Sequence, residues 1–211
     1  MLQDFAAGPT YKVLPEDVLW ILPHSLLDTL GVAAIGSKSE MAQIGTNTAT
    51  AMFGATTSSD RCLFDVNLVS AGGAAMAGAM TIDSVDAHDG TSHCKGHAGS
   101  AIFPSLFALA DGHRITGKDF ATYLVLAYQV SYRTGLTLHD TCTDYYTSTA
   151  WTPVGVAAIA AQILGGDPMQ IHQAAGIHKY HNPSSQMMHC NNHPSMVRDG
   201  VGPGAPTAIT A

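Results

Sequence analysis

The sequence predicts an all-α domain. Apolar residues recur at helical spacing in several segments, strand-like alternation and internal repeats are absent, and small residues are abundant. Hydrophobic residues make up 46% of the 211 residues and charged residues only 12%, which is a low charge density for a lone soluble domain. We therefore expect one helical domain over residues 1–211, with apolar surface buried against another domain or subunit.

Helix start signals define the elements of the first half. Residues 15–17 (Pro-Glu-Asp) open the first helix, because acidic side chains favour the N-terminal turn. Pro23 lies inside this helix, where it should kink or split it, and the sequence offers no reason for its position. Further helices are expected over residues 39–54, with Met41, Ile44, Ala51 and Met52 buried, and over residues 65–81, 99–110 and 153–164.

The helix at 65–81 is rich in alanine and glycine, which indicates close contact with neighbouring helices. Its end places Asp83 just beyond a buried helix. Two later helices carry start signals, a capping box at Thr116 and an N-cap at Asp167 followed by proline. Residues 179–211 have few helical signals and are predicted to form an irregular tail that contributes to a pocket.

Ionisable side chains are concentrated between residues 80 and 104, flanked by apolar segments. They are Asp83, Asp86, His88, Asp89, His93, Cys94, Lys95 and His97. One interpretation is a solvated loop, since loops are polar by default. The other is the lining of a pocket, in which burial and neighbouring charges shift pKa values for catalysis.

The segments DSVDAHDG (83–90) and KGHAG (95–99) resemble the signature of the MmgE/PrpD family, and most closely its epimerase branch. The family includes 2-methylcitrate dehydratase, cis-aconitate decarboxylase and iminodisuccinate epimerase. Further segments agree with it in order and spacing, at 26–31, 115–120, 144–148 and 193–200. The resemblance covers nearly the whole chain and rests on this ordered set of motifs.

The resemblance implies that the central stretch, residues 144–148 and the tail meet at one pocket. The acid/base candidates of the family fall on Asp83, His97, Tyr145 and Arg198. Substrate-binding positions fall on His88, Asp89, Lys95, Tyr146 and Ser148. Each also has an ordinary structural interpretation: Asp83 as a helix cap, His97 as a hydrogen-bonded core histidine, and the tyrosines as packing residues.

The implied reaction begins with abstraction of a proton α to a carboxylate of a small di- or tricarboxylate. Dehydration, decarboxylation or epimerisation follows according to what leaves. The resemblance implies no cofactor and no metal, and it places a second α/β domain after the helical one. That second domain is absent from these 211 residues, so the sequence is either part of a longer chain or a naturally short family member.

Three positions depart from the family pattern. Arg198 stands where many members have lysine, Tyr146 where many have histidine, and Pro203 where tryptophan is typical. Lysine can be tuned to give and take a proton, whereas arginine stays charged and binds carboxylates as a fork. The first alternative is therefore a catalytically impaired member that acts as a binding or interaction protein.

A metal-dependent site is the second alternative. His93 and His97, and likewise His189 and His193, are four residues apart. That spacing places two histidines on one face of a helix, but neither segment has a helical pattern and no glutamate follows the first histidine.

Charge and cysteine usage limit the partners and the compartment. A formal net charge of −7 argues against nucleic acid, and four isolated cysteines without a CxxC pair indicate a reducing compartment. The N-terminus lacks the pattern of a signal peptide, and prolines and glycines interrupt the apolar runs, so no membrane span is expected. We therefore expect a cytoplasmic homodimer that binds a small carboxylate.

Overall fold

The structure is a computed structural model that describes residues 8–54, 60–195 and 198–211. Within these ranges nine α-helices form nearly all the regular structure, which confirms the predicted all-α class. They are α1 Glu16–Gly36, α2 Glu40–Met52, α3 Ala71–Asp83, α4 Gly99–Gly112, α5 Gly117–Thr141, α6 Thr152–Ile163, α7 Pro168–His181, α8 Met188–Asn191 and α9 Val201–Ile209. Two short strands, β1 Asp60–Arg61 and β2 Leu68–Val69, pair antiparallel.

Helix α3 lies at the centre and packs against α2, α4 and α9. Almost all of its residues are buried, and its glycines allow close approach of its neighbours. A Cβ added at Gly78 would lie 2.6 Å from the Cβ of Pro104 on α4. The predicted packing role of this Ala- and Gly-rich segment is therefore confirmed.

The boundaries of α3 differ from those predicted. Ser70 caps the helix by accepting a hydrogen bond from the backbone N–H of Gly73, so the helix does not begin at residue 65. The preceding Leu68 and Val69 pair as a strand, which uses the backbone groups that a longer helix would have needed. At the other end, Asp83 is the last residue of the helix rather than a residue beyond it.

Helix α1 runs without interruption through Pro23, so of the two expected effects, a kink or a split, the split is wrong. Pro23 is exposed, so water can reach the carbonyl that its missing N–H leaves unpaired. The helix is long and apolar enough to cross a membrane, and only 17% of its most apolar window is buried. Core helices and signal sequences have the same length and composition, so the absence of a membrane span stays a prediction.

Helix α2 buries a different face from the one predicted. Its small residues Ala42, Gly45 and Ala49 contact the interior, whereas Ile44 and Met52 are 51% and 71% exposed. The face of small residues is buried because it lets α2 approach α3 closely. The approach is so close that a Cβ added at Gly45 would lie 3.0 Å from Met80 of α3. Ala51 is exposed as well, and Met41 is half-buried, so none of the four residues predicted to be buried is fully so.

The tail after residue 179 is not irregular throughout. Residues Val201–Ile209 form α9, which packs against α3 and α6. The glycines and prolines that suggested a loop serve close packing instead, since a Cβ at Gly202 would lie 2.6 Å from Met80. Residues 179–181 belong to α7, and among the described residues between α7 and α9 only the short α8 is helical.

Both predicted helix caps are present. Thr116 and Asp119 form a capping box at α5, and Asp167 forms one with Gln170 at α7, where Pro168 occupies the first turn. The main core lies between α4, α5 and α6 and contains the fully buried Trp151. The polar loop of residues 84–98 runs from the end of α3 to the start of α4.

Candidate functional site

A polar cavity of about 490 Å³ lies where the end of α3 meets the segment between α7 and α9. Its lining combines the central stretch with the tail: Asp83, Asp86, His97, Met187, Cys190, Asn191, Arg198 and Asp199. A groove of about 680 Å³ beside α1 and α5 is larger, but the described residues that line it include no carboxylate and no histidine. The polar cavity is therefore the candidate site for proton-transfer chemistry.

Arg198 joins the tail to the end of α3. Its Nε donates to Oδ2 of Asp83 at 3.0 Å, and its Nη2 donates to the backbone carbonyl of Asp83. The carbonyls in the last turn of a helix lack intrahelical partners and carry partial negative charge, so a guanidinium there both caps the helix and balances its dipole. Nη2 also lies 3.5 Å from Oδ1 of Asp86.

The carboxyl group of Asp83 is almost completely buried, with a relative exposure of 2%. Burial raises the pKa of Asp83 to about 7, although the neighbouring Arg198 lowers it, and Asp199 and Asp86 add to the rise. Desolvation thus outweighs the ion pair. Both protonation states of Asp83 are populated near neutral pH, which suits a group that takes up and returns a proton.

His88 approaches Asp83 from the other side, with Nε2 3.5 Å from Oδ1. Burial lowers the pKa of His88 to about 4, and the neighbouring His97 lowers it further, while Asp86 acts in the opposite direction. The imidazole of His88 is therefore neutral at pH 7, and its contact with Asp83 is not an ion pair. The His88 and His97 rings lie side by side, with centroids 4.3 Å apart.

The hydrogen bonds of His97 fix its tautomer. Its Nδ1 lies 2.6 Å from the backbone oxygen of Asp89, and because a carbonyl can only accept, Nδ1 carries the hydrogen and donates it. The lone pair is consequently on Nε2. His97 lines the cavity, and its backbone N–H donates to the Oγ of Ser148 at 2.9 Å.

Two of the predicted substrate-binding residues support the site rather than line it. Asp89 accepts hydrogen bonds from the N–H of Gly99 and the hydroxyl of Tyr128, at 2.9 and 2.7 Å, and so ties the loop to α4 and α5. Burial raises the pKa of Asp89, which these two hydrogen bonds oppose. Ser148 is fully buried and positions the backbone of His97.

Tyr145 and Lys95 contact each other beside the cavity, and neither lines it. The Tyr145 hydroxyl donates to the backbone oxygen of Lys95 at 2.9 Å, and the Lys95 ammonium lies 5.8 Å from the centroid of the Tyr145 ring. The backbone N–H of Met187 donates to the backbone oxygen of Tyr145 at 2.8 Å, which connects this tyrosine to the cavity wall. Three of the four acid/base candidates, Asp83, His97 and Arg198, thus line the cavity. Tyr145 does not line it but contacts Met187, which does.

Of the three departures from the family pattern, only Arg198 lines the cavity. Tyr146 pairs with Gln186 in an isolated bridge and packs against the core. Pro203 is exposed in the first turn of α9, where a proline is well tolerated. Tyr146 and Pro203 are therefore not part of the cavity lining.

Several cavity residues were not among the predicted site residues. They are Asp86, Met187, Cys190, Asn191 and Asp199. Asp199 directly follows Arg198 in the HPSMVRDG segment, and that adjacency was the available signal. Asp86 lies within the DSVDAHDG segment, on the loop after α3. Met187, Cys190 and Asn191 depend on how the segment between α7 and α9 folds back, which no local spacing encodes.

The described residues that could hold a metal differ from the predicted histidine pairs. One oxygen of Asp86 and one nitrogen each of His88 and His97 lie within 4.8 Å of one another. His93 is exposed, and His189 lies in the four-residue helix α8 with His193 beyond its end. The i, i+4 spacing therefore did not identify the cluster, which joins residues 86 and 88 to residue 97.

The family model of the MmgE/PrpD N-terminal domain matches residues 1–209. None of the curated proteins matches the sequence. The match spans every helix described above and all the residues that line the polar cavity.

Proposed function

Because the chain belongs to the MmgE/PrpD N-terminal domain family, we propose that it catalyses proton abstraction α to a carboxylate of a small di- or tricarboxylate, without a cofactor. The single observation that carries this proposal is the juxtaposition of Asp83, His97 and Arg198 around one cavity. Such a reaction needs an acid/base group and a cation that stabilises the developing enolate. Dehydration and epimerisation share this first step, whereas in decarboxylation the departure of CO2 forms the same kind of anion, which the acid/base group then protonates.

The proposal gives the three residues separate roles. The carboxyl group of Asp83 and the Nε2 lone pair of His97 are the proton-transfer groups. Arg198 binds the substrate carboxylate, because a guanidinium offers a fork of donors and does not lose its proton at neutral pH. Arg198 is thus a binding residue, in contrast to a lysine, which could itself shuttle a proton.

The contacts of Arg198 suggest how a substrate carboxylate enters. Asp86 is exposed and lies 3.5 Å from Nη2 of Arg198, so this contact is the weaker one and the first to exchange for a substrate oxygen. Protonation of Asp83 removes the competing negative charge from the same guanidinium. When Asp83 takes up the α-proton, the guanidinium is therefore released to the substrate carboxylate as negative charge develops on the substrate.

The alternative function is a non-catalytic family member that binds a partner chain. It is supported by the arginine at position 198 and by large apolar side chains on the surface of α1 and α2. Trp20, Leu27 and Ile35 are 67%, 72% and 66% exposed, and Met52 is 71% exposed. The same surface supports our proposal of a homodimer, and four free cysteines support a cytoplasmic location.

Turnover assays test the catalytic proposal directly. The purified chain is incubated with 2-methylcitrate, cis-aconitate and iminodisuccinate, and products are followed by NMR. We expect turnover of one of these carboxylates, its loss in His97→Gln, and its retention in His93→Gln, a matched change at an exposed histidine of the same loop.

The outcome that would contradict the catalytic proposal is neither turnover nor binding of any of the three carboxylates. Light scattering after size exclusion then separates the alternatives. A stable homodimer is expected for the enzyme, whereas a monomer with an exposed apolar face favours the partner-binding function.

A further inference from the structure

Asp86, His88 and His97 form a cluster that proton transfer alone does not explain. One carboxylate oxygen of Asp86 and one ring nitrogen of each histidine lie within 4.8 Å of one another. We propose that these three residues bind a divalent transition-metal ion of the zinc class. Two imidazole nitrogens and one carboxylate oxygen are a common ligand set for such ions, and they leave a further coordination position open.

His97 has the supporting contacts that are typical of a metal ligand. A ligating histidine almost always donates its other ring N–H to a carbonyl or carboxylate, which fixes its tautomer and orientation. Nδ1 of His97 donates to the backbone oxygen of Asp89, which leaves the Nε2 lone pair for a ligand. Asp89 is in turn held by Gly99 and Tyr128, so the support extends into α4 and α5.

His88 supplies a buried nitrogen without a protein partner. Its side chain is only 1% exposed, and its Nδ1 has no hydrogen-bond partner among the described residues. Its Nε2 faces the Asp83 carboxyl, so Nδ1 has the lone pair whenever Nε2–H points to that carboxylate. Buried polar atoms without partners are uncommon because they lose their bonds to water without replacement, and a metal ion bound through Nδ1 would give this nitrogen a partner.

The cluster needs only a local closure to reach metal-binding geometry. Zinc ligands at about 2.0–2.2 Å in a tetrahedral arrangement lie roughly 3.4 Å apart, so the widest pair has to close by on the order of 1 Å. Asp86 can make this movement, since its side chain is 60% exposed and lies on the loop after α3. The two histidines, held by burial and hydrogen bonds, provide the fixed part of the site.

The charges around the cavity also favour a cation. Three carboxylates, from Asp83, Asp86 and Asp199, line the cavity together with the guanidinium of Arg198. Arg198 still opposes a metal, because Nη2 lies 3.5 Å from the Asp86 oxygen that the metal needs. Metal binding therefore requires Asp86 to leave Arg198, while Arg198 keeps its bonds to Asp83.

A bound metal has a consequence for the proposed reaction. It occupies the lone pair of His97, so zinc should inhibit proton transfer. This consequence rests on the proposed function, whereas metal binding itself does not.

Isothermal titration of the whole, chelator-treated chain with Zn²⁺ tests the site, and absorption spectra of the Co²⁺ form report its ligands. We expect one saturable site whose affinity falls in His88→Ala and His97→Ala by more than the roughly 10–100-fold that follows loss of an outer-shell partner. His93→Ala should bind as the unsubstituted chain does. Arg198→Gln should bind Zn²⁺ more tightly, because it removes the charge that competes for Asp86.

Two further variants keep the test decisive. Asp86→Asn alters an exposed side chain, so it should weaken binding without unfolding the protein, even if His88→Ala is unstable. Cys190→Ser removes the thiol that lines the same cavity and should leave Zn²⁺ affinity unchanged. Absence of saturable binding, or an equal loss in the His93 or Cys190 variants, overturns the site. Saturable Zn²⁺ binding in a chain that turns over no carboxylate upholds the site and counts against the proposed function.

Discussion

Arg198 bonds both the side chain and the backbone carbonyl of Asp83, although 115 residues separate them in the sequence. The contact joins the segment before α9 to the last residue of the central helix α3. Arg198 thus caps the helix, forms an ion pair with a buried carboxylate and lines the polar cavity. Changes at either residue should therefore affect stability and ligand binding together.

Arg198→Lys preserves the charge and removes the fork of donors. Lysine cannot reach the Asp83 carboxylate, its carbonyl and a substrate with the same geometry, so we expect carboxylate affinity to fall by ~1–3 kcal/mol. Titration calorimetry with the substrate measures the loss, and Arg114→Lys, at an exposed arginine, serves as the matched control. Unchanged affinity together with unchanged activity would place Arg198 outside the binding site.

Glycines of α1 and α3 should respond oppositely to substitution by alanine. A Cβ at Gly78 would lie 2.6 Å from Pro104, so Gly78→Ala should lower the free energy of unfolding by about 1–3 kcal/mol through overpacking. A Cβ at Gly31 would have no atom within 4 Å, so Gly31→Ala should raise the free energy of unfolding by up to about 1 kcal/mol through helix propensity. Urea unfolding of both variants measures the difference, and a destabilised Gly31→Ala would contradict the exposure of α1.

His178 should make the protein less stable in mild acid. It is completely buried, and burial lowers its pKa to about 4, with Lys179 acting in the same direction. The unfolded histidine titrates near 6.5, so between about pH 6.5 and pH 4 the unfolded state binds more protons and stability falls as pH decreases. His88 contributes with the same sign, whereas Asp83, whose pKa is raised to about 7, contributes with the opposite sign.

The contribution of His178 is isolated by comparison with His178→Asn. The free energy of unfolding, measured in urea at several pH values, should depend less steeply on pH between 4 and 6.5 in the variant. Identical slopes for the two proteins would show that His178 does not keep a lowered pKa in the folded state.

Asp83 should titrate close to neutrality. Its burial outweighs the opposing charge of Arg198, while Asp86 and Asp199 raise its pKa further and His88 contacts its other oxygen. The carboxylic acid band of Asp83 in infrared difference spectra, assigned by its loss in Asp83→Asn, should disappear as the pH rises through about 7. Loss of the band near pH 4, the ordinary range for aspartate, would show that burial does not outweigh the charge of Arg198 in setting the pKa of Asp83.

The sequence was sufficient where structure depends on neighbouring residues. The capping boxes at Thr116 and Asp167 follow from side chains three residues apart, and the tight packing of α3 follows from its small residues. Prediction from the sequence failed where tertiary contacts determine which residues form a helix and which face is buried. Helix α9 forms from a Gly- and Pro-rich segment because it fits against α3 and α6, and α2 buries its small face because that face permits closer approach.

The candidate site divides in the same way. The motif order placed Asp83, His97 and Arg198 together, and they share a cavity. The roles of Asp89 and Ser148 in holding His97 could not be predicted, because they depend on the direction of hydrogen bonds across the loop. The position of Tyr145 could not be predicted either. Its motif indicated a residue in the cavity, whereas Tyr145 contacts Lys95 beside the cavity.

Exchange of the α-proton of a bound carboxylate with solvent deuterium tests the central claim most directly, because it reports proton abstraction even without net turnover. Proton NMR in D₂O should show exchange for the unsubstituted chain and at least about a hundredfold slower exchange for Asp83→Asn, with Asp140→Asn unchanged. Asp140 is exposed near the end of α5, which makes it the matched control. Equal exchange rates in the presence and absence of the Asp83 carboxyl would contradict the account.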